Sequence, residues 1–259
     1  MSRYQTLMPI RTKGSKAPLF CVHGQPLRMA QSVSADRPIY GLSHVYHSDF
    51  LDETPESIEA VAAAYLSEIR QVQPKGPYHF CGFSAGGMIA YEMAQQLLKS
   101  GSTVGSLTLV EPSFRNTAQI VLQNSYSPKK ESLLSSILNF LIRVPKTLRA
   151  RTRYHFLVFT AQFYFLFRIP LPETLRWIGY LRSLGPAMQK YEYKPIDCSA
   201  IILYRHMGDE EYKYCCEFWK QLTTRGAQVK SFEYVSKHSD FMLSPALEKT
   251  AELIENSIQ

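Results

Sequence analysis

The chain has 259 residues, 45% of them apolar and 20% charged, which allows a sizeable core and excludes wholesale disorder. Twenty-nine Lys and Arg against 22 Asp and Glu leave a formal charge of +7, which suits an acidic partner without choosing among nucleic acid, anionic lipid and acidic protein. The five cysteines form no CxxC pair, so neither a disulfide framework nor a zinc site is indicated.

Leu19-Phe20-Cys21-Val22 is a continuous apolar run that stops at His23-Gly24, the pattern of a buried strand running into a turn. Cys21, and Cys81 further on, read there as small buried hydrophobes. Pro38 to Leu42 reads as a second strand. Thr54 can cap a helix with Pro55 at its first position, and Ile58, Val61, Tyr65, Ile69 and Val72 recur at helical spacing until Pro74-Lys75-Gly76-Pro77. Tyr78 to Phe83 is strand-like and runs directly into Ser84-Ala85-Gly86-Gly87. A helix follows over Met88 to Lys99, ended by Gly101, and then a strand over Val104 to Val110. The alternation breaks after Glu111. It resumes with a strand at Ala200 to Tyr204, a helix over Asp209 to Leu222, a strand at Val229 to Val235 and a helix from Pro245 to Ile258. Strands alternating with helices in this way predict one α/β domain over 1–259, a mainly parallel sheet with helices on both faces, carrying a helical lid insertion at 114–190.

Gly82-Phe83-Ser84-Ala85-Gly86 matches G-x-S-x-G where a strand enters and a helix leaves. A turn that tight leaves no room for side chains two residues either side of the serine. It also lifts the Ser84 hydroxyl clear of the sheet, at a helix N-terminus that favours a developing anion. Of the seven histidines, His238 follows the last strand, at the carboxyl edge from which a base can reach such a serine. His44, His47 and His155 fall in loops or the insertion, and His79 and His206 lie in or beside strands. Two acids could orient His238: Glu111, directly after the strand Val104 to Val110, and Asp209, after the next strand. Position alone leaves both open. The oxyanion donors expected are the backbone N–H of Ala85 and, because Pro26 has none, that of Gln25, with Gly24 as second choice.

With these residues assembled, the chain resembles the thioesterase domains that end non-ribosomal peptide and polyketide synthetases, within the α/β-hydrolase superfamily. Its opening, Leu7-Met8-Pro9-Ile10 with Pro18 to Gly24, carries the resemblance, as do Arg37 to Leu42 and Gln73 to Tyr78. The most specific block is Gly82-Phe83-Ser84-Ala85-Gly86-Gly87-Met88-Ile89-Ala90-Tyr91-Glu92-Met93-Ala94. The likeness covers most of residues 6–113 and returns weakly from about 195. It implies a serine hydrolase that takes an acyl, peptidyl or polyketide chain from a carrier protein's phosphopantetheine thioester through an acyl-serine. Release is by hydrolysis or cyclisation, and no metal or organic cofactor is needed. The family's triad acid follows the strand after the nucleophile helix, which favours Glu111 over Asp209. Glu111 departs from the usual Asp, and the stretch between His23 and Arg37 is shorter than the family's and lacks its paired glycines.

Residues 114–190 hold twelve Lys/Arg against Glu131 and Glu173, so the basicity of the chain belongs to the insertion. A basic lid would speed the encounter with an acidic carrier protein; a solvated face with no partner is the plain alternative. Its aromatic run, Tyr154 to Phe167, reads first as packing on the α/β body, then as an acyl-chain wall, then as a helix lying on a membrane surface. No nucleic-acid motif accompanies the charge. The longest apolar stretch, Phe156 to Phe167, falls short of the roughly 20 residues of a bilayer span, and Met1 to Lys16 is polar and basic, unlike a signal peptide. The expectation is a cytoplasmic enzyme. Two rivals of the same fold are a stand-alone carboxylesterase or lipase and a catalytically silent binding module.

Overall fold

The computed structural model describes residues 6–43, 57–112 and 184–258. Among these residues seven strands form one sheet: β1 (Leu7–Arg11), β2 (Leu19–Val22), β3 (Ile39–Leu42), β4 (Tyr78–Phe83), β5 (Val104–Val110), β6 (Ala200–Arg205) and β7 (Ala227–Phe232), in spatial order β1-β3-β2-β4-β5-β6-β7. All neighbours are parallel except β1, which pairs antiparallel with β3. The described helices of this body are α1 (Pro26–Ser32), α2 (Ile58–Val72), α3 (Ala85–Lys99), α4 (Asp209–Leu222) and α5 (Ala246–Ser257). The sheet and these helices belong to one compact unit, Met1–His47, Pro55–Ser113 and Lys190–Gln259; a second comprises Ser48–Thr54 and Phe114–Gln189.

The central strands are apolar runs because both of their faces are covered. All four residues of β2 are buried: Leu19 and Cys21 pack with Met29 of α1 and Ala251 and Ile254 of α5, whereas α2 and α3 cover the other face, with α3 against β2, β4 and β5. α4 joins the α3 side, its Trp219 ring 5.8 Å from that of Tyr91. Parallel strands with crossover helices bring every strand's carboxyl end to one edge, so β2, β4, β5 and β6 deliver their following residues there.

The strand at 104–110 and the helix at 209–222 fall where the periodicity puts them. α1 has no counterpart among the expected elements, α3 begins at Ala85 rather than Met88, and three more elements differ. The helix expected from Thr54 is described from Ile58, where the Ser57 side chain accepts a hydrogen bond from the Ala60 N–H; Thr54 and Pro55 lie outside the described residues. The last strand spans Ala227–Phe232 rather than 229–235, because Val235 closes a turn by donating its N–H to the Phe232 carbonyl. β1 is not among the expected strands: Pro9 interrupts its apolar Leu7-Met8-Pro9-Ile10, and polar bonds hold it at both ends, where the buried Glu68 carboxylate of α2 accepts from the Thr6 and Leu7 N–H groups and Arg11 donates to the Ala30, Ser34 and Arg37 carbonyls. Of the insertion, 184–190 is helical; 114–183, with its aromatic run and most of its basic residues, lies outside the described residues.

Candidate active site

At the end of β4 the chain turns sharply into α3 with Ser84 at φ +55° and ψ −121°. Glycine is required on both sides. A Cβ on Gly82 would meet the Gly86 carbonyl, and one on Gly86 would meet the Val22 carbonyl of the neighbouring strand. The Ser84 N–H donates to the Val110 carbonyl at 2.8 Å, so the backbone stays tied to β5 while the half-buried side chain leaves the sheet.

His238 opens a short 3-10 turn, His238–Met242, after β7. Its ring stacks on Phe83, the residue before Ser84, with centroids 4.5 Å apart and planes 29° apart, which sets the imidazole at the turn. Nδ1 lies 2.9 Å from Glu111 Oε2. Glu111, left-handed at φ +47°, follows β5 directly, and its side chain is only 7% exposed. Two further donors meet the same carboxylate: the Arg205 N–H reaches Oε1 at 2.7 Å and the Arg205 Nη1 reaches Oε2 at 2.9 Å. Burial alone would push the Glu111 carboxyl up. The hydrogen bonds from His238 and the Arg205 N–H, with the Arg205 charge, outweigh it and hold the group below the usual carboxylate range.

The turn after β2 packs directly on this one. His23 and Gly24 are both left-handed, at φ +60° and +72°, and a Cβ on Gly24 would sit 3.2 Å from Phe83 Cβ. Gln25 caps α1, with Pro26 at the first helical position, as Ala85 begins α3. Their N–H groups therefore stand at helix starts, where no intrahelical acceptor exists. Below them Cys21, Cys81, Phe83, Val110 and Met242 line a cavity of about 20 Å³, room for one water.

The remaining candidates lie elsewhere. Asp209 is an exposed first residue of α4, and the acid bonded to His238 is Glu111. His79 is buried in β4 beside the Ser106 hydroxyl at 3.1 Å, and burial, then the Arg37 charge, pushes it down to about 4. His206 is exposed beyond β6, and His44, His47 and His155 lie outside the described residues. Arg205 is the residue that sequence reasoning missed. Its signal was its place as last residue of β6, the strand beside β5. Among the described residues, no three His, Cys, Asp or Glu side chains gather as a metal site, and no helix is long and apolar enough to cross a membrane.

The mainly parallel sheet, its covering helices and a serine turn at the carboxyl edge define an α/β-hydrolase. Residues 28–157, half of the chain, match the family model of the thioesterase domain, and the chain belongs to that family. It is a thioesterase. A dimodular nonribosomal peptide synthase of Bacillus subtilis (strain 168) is 39% identical over 116 residues, 42% of this chain and 5% of that protein. A non-reducing polyketide synthase of Cladonia metacorallifera is 36% identical over 126 residues, 49% of this chain and 6% of its own length. The chain thus spans a small fraction of these relatives. Among solved structures, the NocB thioesterase domain of the nocardicin cluster covers 97% of this chain and 98% of its own at TM-score 0.66 and 19% identity. A four-domain nonribosomal peptide synthetase covers 97% of this chain at TM-score 0.65 and 18% identity, over 20% of its own length. These two likenesses concern the fold.

Proposed function

We propose that the chain releases an acyl, peptidyl or polyketide chain from the phosphopantetheine thioester of a carrier protein, with Ser84 as nucleophile, His238 as base and Glu111 as the acid that orients it. The 2.9 Å bond between Glu111 Oε2 and His238 Nδ1, on a ring stacked beside Ser84, carries the reading. With Nδ1–H held by the carboxylate, Nε2 is left as the basic nitrogen. It takes the Ser84 proton as Oγ attacks the thioester carbonyl, and the N–H groups of Ala85 and Gln25 receive the oxyanion. The tetrahedral centre collapses, the pantetheine thiol leaves with the proton from His238, and an acyl-Ser84 ester remains. Water, or a hydroxyl or amine of the chain itself, completes release as acid or ring. These steps need no metal or organic cofactor.

The carrier protein is the partner this reading requires. The basic 114–190 segment supplies charge of the sign that attracts an acidic carrier. The five free cysteines fit a reducing cytoplasm.

Intact mass spectrometry after incubation with an acyl-N-acetylcysteamine thioester tests the assignment. Turnover or an acyl adduct in wild type, and neither in Ser84→Ala, is the expected result. Equal turnover in both proteins would remove Ser84 from the mechanism, and turnover of short p-nitrophenyl esters alone would favour an esterase.

A further inference from the structure

The Glu111 carboxylate has more hydrogen-bond donors than orientation of an imidazole requires. Its partners come from two elements: His238 from the 3-10 turn after β7, and Arg205, through both main chain and guanidinium, from the end of β6. The two side-chain donors share Oε2, each at 2.9 Å, so a permanent cation stands next to the carboxylate that would stabilise an imidazolium. Arg205 is nearly half exposed, at 47%, and Glu111 is buried. A long side chain held from solvent onto a buried acid is not explained by packing.

We propose that Arg205 is a positioning residue for the Glu111–His238 pair: it clamps the longer Glu side chain in place and, through its charge, keeps the pair deprotonated to lower pH. Geometrically, Glu carries one methylene more than Asp and one more rotatable bond. Two bonds from one residue, N–H to Oε1 and Nη1 to Oε2, fix both carboxylate oxygens and leave Oε2 facing Nδ1. Electrostatically, the guanidinium and the protonated imidazole compete for one oxygen. Removing the cation favours every protonated state of the pair, whose titration belongs to both groups together.

Other ionisable groups around the pair do not duplicate this role. Tyr204 of β6 and Cys215 of α4 also feel the carboxylate, but burial raises the Tyr204 phenol well above its usual range and the Cys215 thiol to about 12, so both stay neutral. Beside His238, Asp240 accepts the Lys237 N–H at 2.9 Å and Lys237 is exposed. Asp209, Glu210 and Glu211 are exposed at the start of α4, and His206 is exposed next to Arg205. On the β2 side, His23 faces the Tyr65 hydroxyl at 3.3 Å, and Arg28 of α1 donates to the Met242 carbonyl at 3.4 Å.

The proposal rests on the catalytic reading above, and its test is chosen to stand apart from it. The His238 ring signals, assigned by their loss in His238→Asn, are followed by NMR against pH in wild type, Arg205→Gln and Arg205→Lys, with no substrate present. Gln keeps a donor and the backbone bond but drops the charge. Loss of the cation should move the pair's midpoint upward in Arg205→Gln, a solvent-screened charge effect, and Arg205→Lys should bring it back toward wild type. The acid limb of kcat/KM on the thioester should move by the same amount. A midpoint unchanged in folded Arg205→Gln, or one equally shifted in Arg205→Lys, would overturn the proposal. Failure of Ser84→Ala to abolish turnover would instead strike the catalytic reading and leave the NMR result standing.

Discussion

Replacing Glu111 by Gln keeps the side chain's length and removes its charge, so it separates what the carboxylate accepts from the space it fills. The carboxylate meets three donors at 2.7, 2.9 and 2.9 Å. The single Gln carbonyl oxygen can serve the Arg205 N–H, but its NH2 then faces Arg205 Nη1 and His238 Nδ1, two groups that also need to donate. The imidazole answers by moving its proton to Nε2, which removes the base from the side facing Ser84. Loss of the tautomer should lower kcat by about 10³–10⁴, or roughly 4–5.5 kcal/mol of transition-state stabilisation. The charge-assisted bonds contribute about 1.5–3 kcal/mol each, so some stability is lost as well. The assay is thioester turnover with a parallel thermal melt, comparing Glu111→Gln, Glu111→Asp and Asp209→Asn. Glu111→Asp withdraws the carboxylate by about 1.5 Å, a single C–C bond, and should fall between wild type and Gln. Asp209→Asn should stay within twofold. Glu111→Gln retaining more than about a tenth of wild-type kcat, or Asp209→Asn losing it, would refute the reasoning.

Three further outcomes follow from contacts around the site and in the body. Arg37 is 2% exposed and its guanidinium donates to Glu255 at 2.8 and 3.0 Å, bonds that hold the Glu255 carboxyl down to about 2. Glu255→Gln should therefore cost about 3 kcal/mol in urea melts at pH 7. Because the folded pKa is depressed, this stabilisation is present above about pH 4.5 and lost as pH falls toward 2; a gap between the two proteins that stays constant over that window would contradict the assignment. Gly86→Ala drives a methyl into the Val22 carbonyl, so fluorophosphonate labelling of Ser84 should fall at least tenfold in a protein destabilised by about 1–3 kcal/mol, and wild-type labelling would count against the tight turn. Tyr191→Phe removes an O–H donated at 2.9 Å to buried Glu92, to which Gln95 and Gln96 still donate; it should cost about 1–3 kcal/mol by denaturant melt, and no loss would show the bond to be dispensable.

The central strands were legible because burial on both faces makes them continuous apolar runs, and the serine turn because its glycines answer a local steric demand. β1 and β7 were harder for different reasons: Pro9, which cannot donate to a ladder, interrupts the apolar residues of β1, whereas β7 alternates its few apolar residues with Gln228, Lys230 and Ser231. β1 depends on Glu68 and Arg11, whose contacts span dozens of residues, and Ala227–Phe232 is mostly half-buried. The choice between Glu111 and Asp209 was beyond periodicity, since both follow strands at the same edge. Register decides the geometry: the Glu111 N–H bonds to the Leu203 carbonyl, and two residues on, the Arg205 N–H turns to the Glu111 side chain. Arg205 carries no catalytic signature of its own, because a strand-end cation takes its role from the carboxylate it meets, and that meeting is a matter of register.

Among the described residues, the non-glycines with left-handed backbone are His23, Ser84 and Glu111, the residues that follow β2, β4 and β5. Each donates its N–H to the next strand, to the carbonyls of Leu42, Val110 and Leu203 at 2.9, 2.8 and 2.8 Å. The parallel ladder thus extends one residue past each strand while the reversed φ throws the side chain out at the edge. Such a conformation costs a residue with a Cβ about 1–2 kcal/mol, and the sheet holds it in place. At position 84 this strain is separable from chemistry. Ser84→Ala and Ser84→Gly both lack the hydroxyl, but only glycine relieves the φ of +55°, and its relief outweighs the added freedom of the unfolded chain. Ser84→Gly should therefore be more stable than Ser84→Ala by about 1 kcal/mol in urea melts, with both proteins inactive. An alanine protein as stable as the glycine one would mean that the turn stores no strain at the serine.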